Sequence, residues 1–296
     1  MREILQPELS QRTTLRLGGT AIAELIVESE EDCNALPERI HSLGGRPLIL
    51  GAGSNILACN GRLPLVLVRP VFTNGPEIVA DDGDKVFVRV GAGLPLPRLL
   101  RFCQEHALSG LEGLVGIPGS VGGAVAMNAG SFGVETCEKL ASIHVLIEGS
   151  LQRVNADALQ YGYRRLSIAG KKDESIVVEA TFSLTRGTRD GITSCMRHNF
   201  LKKKSRQPVT SWSAGCVFKN PAPDMPAGKL LDLAGFKGKK RGGMAFSAMH
   251  ANFLINEGNG DADAALSLLH DAREAVRQRF DIELEPEVRI VPWRSF

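Results

Sequence analysis

Between Gly113 and Phe132 the chain reads GLVGIPGSVGGAVAMNAGSF, and no other stretch restricts the fold as strongly. Six of these twenty residues are Gly, one is Pro, and Lys, Arg, Asp and Glu are absent. Glycine held in a single conformation costs backbone entropy, so a dense run needs a structural reason: positive φ angles, or close approach of the backbone to something. Leu114, Val115, Ile117, Val121, Val125 and Met127 alternate with the glycines and demand burial, unlike a solvated linker rich in Ser, Glu or Lys. The stretch therefore reads as a packed loop that faces a ligand. Backbone N–H groups aimed at one point hold an anion without any charged side chain. A second turn, Gly51-Ala52-Gly53-Ser54-Asn55, follows a predicted strand over 47–50. It is neither GxGxxG nor a P-loop, and alone it is as compatible with a plain tight turn. Joined to Gly116, Ile117, Pro118, Gly119, Ser120, Gly122 and Gly123, it makes a pair of amide-rich loops suited to a diphosphate.

At 296 residues the chain calls for two or three domains. No run approaches 18 apolar residues, so no membrane span is expected. The start, MREILQPELSQR, lacks the apolar core of a secretory signal, and a cytoplasmic protein is expected. Cys33, Cys59, Cys103, Cys137, Cys195 and Cys216 are scattered without metal-ligand spacing, and the His residues form no HxH or HExxH pattern. No metal site is expected. A net charge of +2 gives no bulk attraction to nucleic acid. Two basic clusters, 202–206 and 237–241, lack interleaved aromatics; each is either a solvated face or a contact for a small anionic substrate.

The periodicities are mixed rather than strictly alternating, which places the chain in the α+β class. Ala23–Val27, Leu65–Val68, Val86–Val90 and Ile176–Leu184 read as strands, and Ile143–Glu148 with Leu151–Val154 as a hairpin. Ser29 followed by Glu30, Glu31 and Asp32 starts a helix that Gly44 ends, with Pro37 as a kink or a late start. A second helix carries Leu96, Leu99, Leu100, Cys103 and Ala107, with Gly110 as its stop. Asn155 is expected to cap a short helix. Further helices carry Ile192, Cys195, Met196 and Phe200, then Ala227–Ala234, then Leu266, Leu269, Ala272, Val276 and Phe280; residues 283–291 close the chain as a strand.

Three side chains stand out for chemistry. Arg164, between Tyr163 and Arg165, is either a bidentate carboxylate binder or an ordinary surface Arg. Cys216, in a glycine-containing loop, is either a proton donor or nucleophile, or a small buried hydrophobe. Glu287, between Pro286 and Val288-Arg289-Ile290, is a carboxylate on an apolar strand, either functional or turned to solvent on an edge.

The motifs together closely resemble the UDP-N-acetylenolpyruvoylglucosamine reductase family. The matching pieces are TTLRLGG at 13–19, LGAGSN at 50–55, GLEGLVGIPGSVGGAVAMNAGSFG at 110–133 and YGYR at 161–164. They continue with SAGCVFKNP at 213–221, AGKLLDLAGFKG at 227–238, HANFLIN at 250–256 and LEPEVR at 284–289. They keep the family's order and span nearly the whole chain, which resembles the compact second type of the family.

The resemblance implies a two-part FAD-binding region of the vanillyl-alcohol-oxidase type over 1–68 and 69–187. An α+β domain for a UDP-sugar would follow over 188–296, its last strand packing back on the first segment. It implies a hydride passed from NADPH through noncovalent FAD to the enolpyruvyl group of the UDP-sugar, in a monomer, during peptidoglycan precursor synthesis. It assigns Arg164, Cys216 and Glu287 to catalysis, the residues of the two glycine-rich loops with Asn128 to FAD, and Lys204 and Asn220 to the uridine diphosphate. The family commonly has Ser where this chain has Cys216; a thiol is the stronger acid, so proton donation survives the exchange. The competing implication is an FAD oxidase of the same flavin-binding class acting on another substrate.

Overall fold

In the computed structural model, which describes residues 1–147, 149–168 and 175–292, strand sequences that are apolar on both faces are covered on both faces. The clearest case is Val66-Leu67-Val68, each 0% exposed, in a sheet of order Arg2–Leu5, Thr20–Val27, Arg62–Pro70, Arg46–Ile49. Helix α1 (Glu30–Leu43) starts where Ser29 Oγ accepts the Asp32 N–H. It carries three acidic residues in its first turn and ends at Gly44 with φ 68°. Pro37 lies inside α1 without ending it. Cys33 and Leu36 of α1 pack on Leu25, Val27, Val66 and Val68, together with Leu146, Ile176 and Val178.

A second sheet has the order Ser150–Asn155, Leu140–Ile147, Ile176–Arg186, Val86–Gly91, Glu77–Asp81. The hairpin pairs Ile147 with Ser150, and Glu148, assigned to its first strand on sequence, lies outside the described residues. Helix α2 (Leu96–Glu105) buries Leu96, Leu99, Leu100 and Cys103 against this sheet's core. It ends before Ala107, at φ 54°, and not at Gly110 as the sequence suggested. The segment after Asn155 is only a 3-10 turn, Ala156–Ala158, to which the Asn155 side chain gives no cap.

The glycine-rich stretch holds a helix that its composition hid, α3 (Val121–Ala126), capped by Ser120 Oγ accepting the Gly123 N–H at 3.2 Å. The Gly122 N–H donates to the Ala92 carbonyl at 2.8 Å. A β-carbon on Gly122 would lie 2.8 Å from that of Ala92. Glycine at 122 thus serves close packing of backbone on backbone. Helix α4 (Arg189–Lys204) follows, with Thr193 Oγ1 accepting from Gln104 Nε2 and the Asn199 side chain directed at the Glu112 carbonyl.

By contacts the chain divides into two units, each discontinuous in sequence. The first takes Met1–Ile4, Ala23–Ala52 and Val66–Lys202; the second takes Leu5–Ile22, Gly53–Leu65 and Lys203–Phe296. Within the second, a sheet runs Trp212–Cys216, Phe253–Asn256, Met244–Phe246, Lys240–Arg241. It is joined by helices α5 (Ala227–Leu233) and α6 (Ala262–Phe280), the latter capped by Asp261. The buried face of α6 is Ala265, Leu268, Leu269, Ala272 and Val276; Leu266 and Phe280, expected inward, are only partly covered. Of residues 283–291 only Arg289–Val291 is strand, paired parallel with Ile56–Ala58.

Gly122→Val, which drives a branched side chain into Ala92, should lower stability by about 1–3 kcal/mol in urea denaturation. Gly123→Ala, whose β-carbon meets only Ser120 Oγ at 3.3 Å, should be far milder. Equal stability of the two variants would contradict the packing assigned to Gly122.

Candidate functional site

The two glycine-rich loops meet within the first unit. A β-carbon on Gly51 would sit 2.6 Å from Ser120 Oγ, so the first loop lies directly on the N-terminus of α3. The chain enters this loop from Leu50, whose N–H donates to the Val68 carbonyl. In the other loop Gly116 at φ 74° and Gly119 at φ 147° hold a backbone that L-residues rarely adopt. Its course is pinned by Leu96 N–H on the Gly119 carbonyl and Val121 N–H on the Leu94 carbonyl, both at 2.9 Å. The amide nitrogens of Gly51, Ala52, Gly116, Gly119 and Ser120 have no acceptor among the described residues. Ile117 N–H, in contrast, donates to the Leu114 carbonyl. Such a cradle of N–H groups without an added β-carbon fits the phosphates of a dinucleotide. Asn128 stands apart: it is 0% exposed and its side chain is bonded within the protein.

Arg164 occupies the tip of the hairpin Leu159–Gly162 with Arg165–Ile168, in a two-residue turn, at φ 55°. Its Nη2 donates to the Gly130 carbonyl at 3.1 Å and its guanidinium lies 4.9 Å over the Tyr163 ring. This anchors one edge of a planar group that binds carboxylates.

The remaining predicted residues lie in the second unit. Gly53, at φ 64°, abuts the Arg12 carbonyl so closely that no β-carbon fits. Asn55 Nδ2 donates to the Glu287 carbonyl at 3.1 Å, and Arg289 N–H returns a bond to the Asn55 carbonyl. Glu287 N–H donates in turn to the Val217 carbonyl at 2.8 Å, beside half-buried Cys216. The loop at 53–55, the carboxylate residue and the thiol residue are thus linked by consecutive hydrogen bonds. Asn220 Oδ1 accepts the Ala227 N–H and so caps α5, whose own N-cap position, Pro226, offers no side-chain acceptor. Lys204 is exposed at the end of α4, whereas its neighbour Lys203 is buried.

The cysteines separate by environment. Burial pushes the thiols of Cys103 and Cys137 up to about 12, with Glu112 and Glu135 adding to it respectively, and raises Cys33 too. Those thiols are inert near neutral pH. Cys195 is exposed and Cys216 half-buried, and only Cys216 adjoins the Glu287 segment.

Comparison with known proteins points one way. Residues 21–152 match a family model described as an FAD binding domain. Residues 207–291 match the C-terminal domain of UDP-N-acetylenolpyruvoylglucosamine reductase. A protein of that name from Nitratidesulfovibrio vulgaris is 50% identical over 99% of this chain and 100% of its own length. The chain belongs to the UDP-N-acetylenolpyruvoylglucosamine reductase family. Another family member, from Oleidesulfovibrio alaskensis, is 47% identical over 97% of both chains. The crystal structure of the reductase from Thermus caldophilus superposes with a TM-score of 0.79 at 32% identity, covering 98% of each chain. As a member of the reductase family the chain is an FAD-dependent oxidoreductase, α+β in fold, with an FAD-binding region followed by the family's C-terminal domain.

Sequence patterns did not signal Asn252. It is 2% exposed; Oδ1 accepts the Phe218 N–H at 3.0 Å while Nδ2 donates to the Phe218 carbonyl at 2.8 Å. Its own carbonyl accepts the Val217 N–H. One side chain thereby takes the place of a neighbouring strand just past the last pair, Cys216 with Phe253, of Trp212–Cys216 and Phe253–Asn256. The HANFLIN motif contains it, but nothing in the motif tells which backbone it pairs. Asn252→Asp keeps the acceptor and loses the donor, leaving the buried Phe218 carbonyl unpaired. A loss of about 1–3 kcal/mol is expected in urea denaturation; an unchanged midpoint would exclude this role.

Proposed function

We propose that this protein reduces UDP-N-acetylglucosamine enolpyruvate to UDP-N-acetylmuramate with NADPH, a cytoplasmic step in peptidoglycan precursor synthesis, using noncovalently held FAD. The observation that carries this reading is the hydrogen-bonded chain from Asn55 to the Glu287 backbone to Val217, which ties a glycine-rich loop to the backbone that bears Glu287 and to the neighbour of Cys216. An oxidase acting on an unrelated alcohol has no need of that C-terminal pair.

FAD, when bound, would supply two-electron carriage between NADPH and C3 of the enolpyruvyl group. Gly51, Ala52, Gly116, Gly119 and Ser120 would hold its phosphates through their amides, with the rest of the 51–55 and 116–123 loops around it. Arg164, steadied on the Gly130 carbonyl, meets the substrate carboxylate and stabilises the negative charge that develops as C3 is attacked. Cys216 then gives its proton to C2; the thiolate left behind regains a proton from solvent. Glu287 polarises the same centre. Lys204 and Asn220 address the uridine diphosphate, Lys204 by charge and Asn220 from the start of α5.

Purified flavin-containing protein should oxidise NADPH rapidly only when the enolpyruvyl UDP-sugar is present. NADPH oxidation indifferent to that compound would end the proposal, and oxygen-driven turnover of another substrate would favour an oxidase. Cys216→Ala should leave flavin reduction by NADPH intact and slow re-oxidation by the UDP-sugar by about 100-fold or more, the usual worth of a positioned acid. Two fast half-reactions in that variant would reduce Cys216 to packing.

A further inference from the structure

Asn128 belongs to a closed ring of contacts around Arg164. Its side-chain amide is used to capacity: Nδ2 donates to Glu135 Oε2 at 2.7 Å and to the Gly162 carbonyl at 3.0 Å, while Oδ1 accepts the Cys137 N–H at 2.9 Å. Two carbonyl-type acceptors and one N–H donor converge on it, so only a carboxamide in this orientation satisfies all three. Its backbone stands at φ 40°, where Asn is among the few residues at ease. The residue is 0% exposed, so its side chain serves the protein rather than a ligand.

The partners of that amide are the two supports of Arg164. Gly162 begins the turn at whose tip Arg164 sits. Glu135 pairs directly with Gly130, whose carbonyl receives Arg164 Nη2. A β-carbon on Gly130 would lie 3.2 Å from Glu135 Cγ and 3.4 Å from Arg164 Nη1, so both side chains lie against Gly130. The main-chain origin of Arg164 and the carbonyl that steadies its guanidinium are therefore both tied to one buried amide.

We infer that Asn128 is a positioning residue for the reduction of the enolpyruvyl group: it fixes the Arg164 guanidinium in the orientation that receives the substrate carboxylate. This gives it a different task from the cofactor contact expected on sequence. The inference rests on the reading of Arg164 given above. A planar guanidinium displaced by about 1 Å loses a large part of its effect on a transition state, so the consequence is kinetic.

The test is a double-mutant cycle followed by stopped-flow flavin absorbance. Asn128→Asp retains the acceptor for Cys137 N–H and withdraws both donors. It should keep FAD and its reduction rate by NADPH within twofold, yet slow re-oxidation by saturating enolpyruvyl UDP-sugar at least tenfold. Arg164→Met should slow re-oxidation further, and the Asn128→Asp/Arg164→Met double variant should be no slower than Arg164→Met. Re-oxidation by Asn128→Asp at the wild-type rate, or multiplicative effects in the double variant, would overturn the inference while leaving Arg164 in place. Arg164→Met at the wild-type rate would remove the reading of Arg164 and the inference with it. Where Asn128→Asp does not fold, Asn128→Ser takes its place in the cycle; loss of flavin from both folded variants would return Asn128 to the cofactor site.

Discussion

A missing β-carbon at position 51 sets the architecture of the proposed cofactor site. Because Gly51 presents nothing but hydrogen toward Ser120 Oγ, the loop after one sheet lies on the start of α3. The same Ser120 caps that helix. Gly122, the second residue of α3, lets the helix press on Ala92 just after the strand Val86–Gly91. Around this close packing, five amides find no acceptor among the described residues: those of Gly51, Ala52, Gly116, Gly119 and Ser120. Steric necessity and ligand chemistry are here the same constraint, and the density of glycine in this stretch answers to both.

Much of the fold was legible wherever local chemistry decides it. Ser29, the acidic triplet and Gly44 bracket α1 because caps and the helix dipole act over a few residues. The end of α2 was not, because Ala107 adopts the left-handed conformation in place of the glycine that usually does so. Helix α3 was hidden since glycine is a poor helix former; tertiary packing against Ala92 outweighs that propensity. On α6 the apolar stripe was read one position off at Leu266, because ALSLL offers two overlapping stripes and only packing against the C-terminal sheet chooses between them.

The site divides in the same way. The glycine loops, Arg164, Cys216 and Glu287 carry signals in their own composition or in family motifs. Asn128 and Asn252 also lie in family motifs, but the motifs do not tell their roles, since what matters in each is the partner of a carboxamide: Gly162 lies 34 residues from Asn128 and Phe218 lies 34 residues from Asn252. Each buries a polar group at full hydrogen-bond satisfaction, the condition under which such a group lends rigidity at no net cost to the core. Supporting residues of this kind shape a catalytic geometry without touching the substrate.

The discontinuity of the second unit bears on how the protein comes to be made. Residues Leu5–Ile22 and Gly53–Leu65 leave the ribosome well before Lys203–Phe296, the residues they belong with. The Asn256 side chain reaches back to the Leu15 carbonyl, and Ile56–Ala58 waits for Arg289–Val291, which emerge far later. The first unit can gather most of its core before then, but the second cannot close until those residues have emerged. Its strand Ile56–Ala58 is until then an unpaired apolar edge, which makes the interval between early and late synthesis the time of greatest exposure to aggregation and to chaperones.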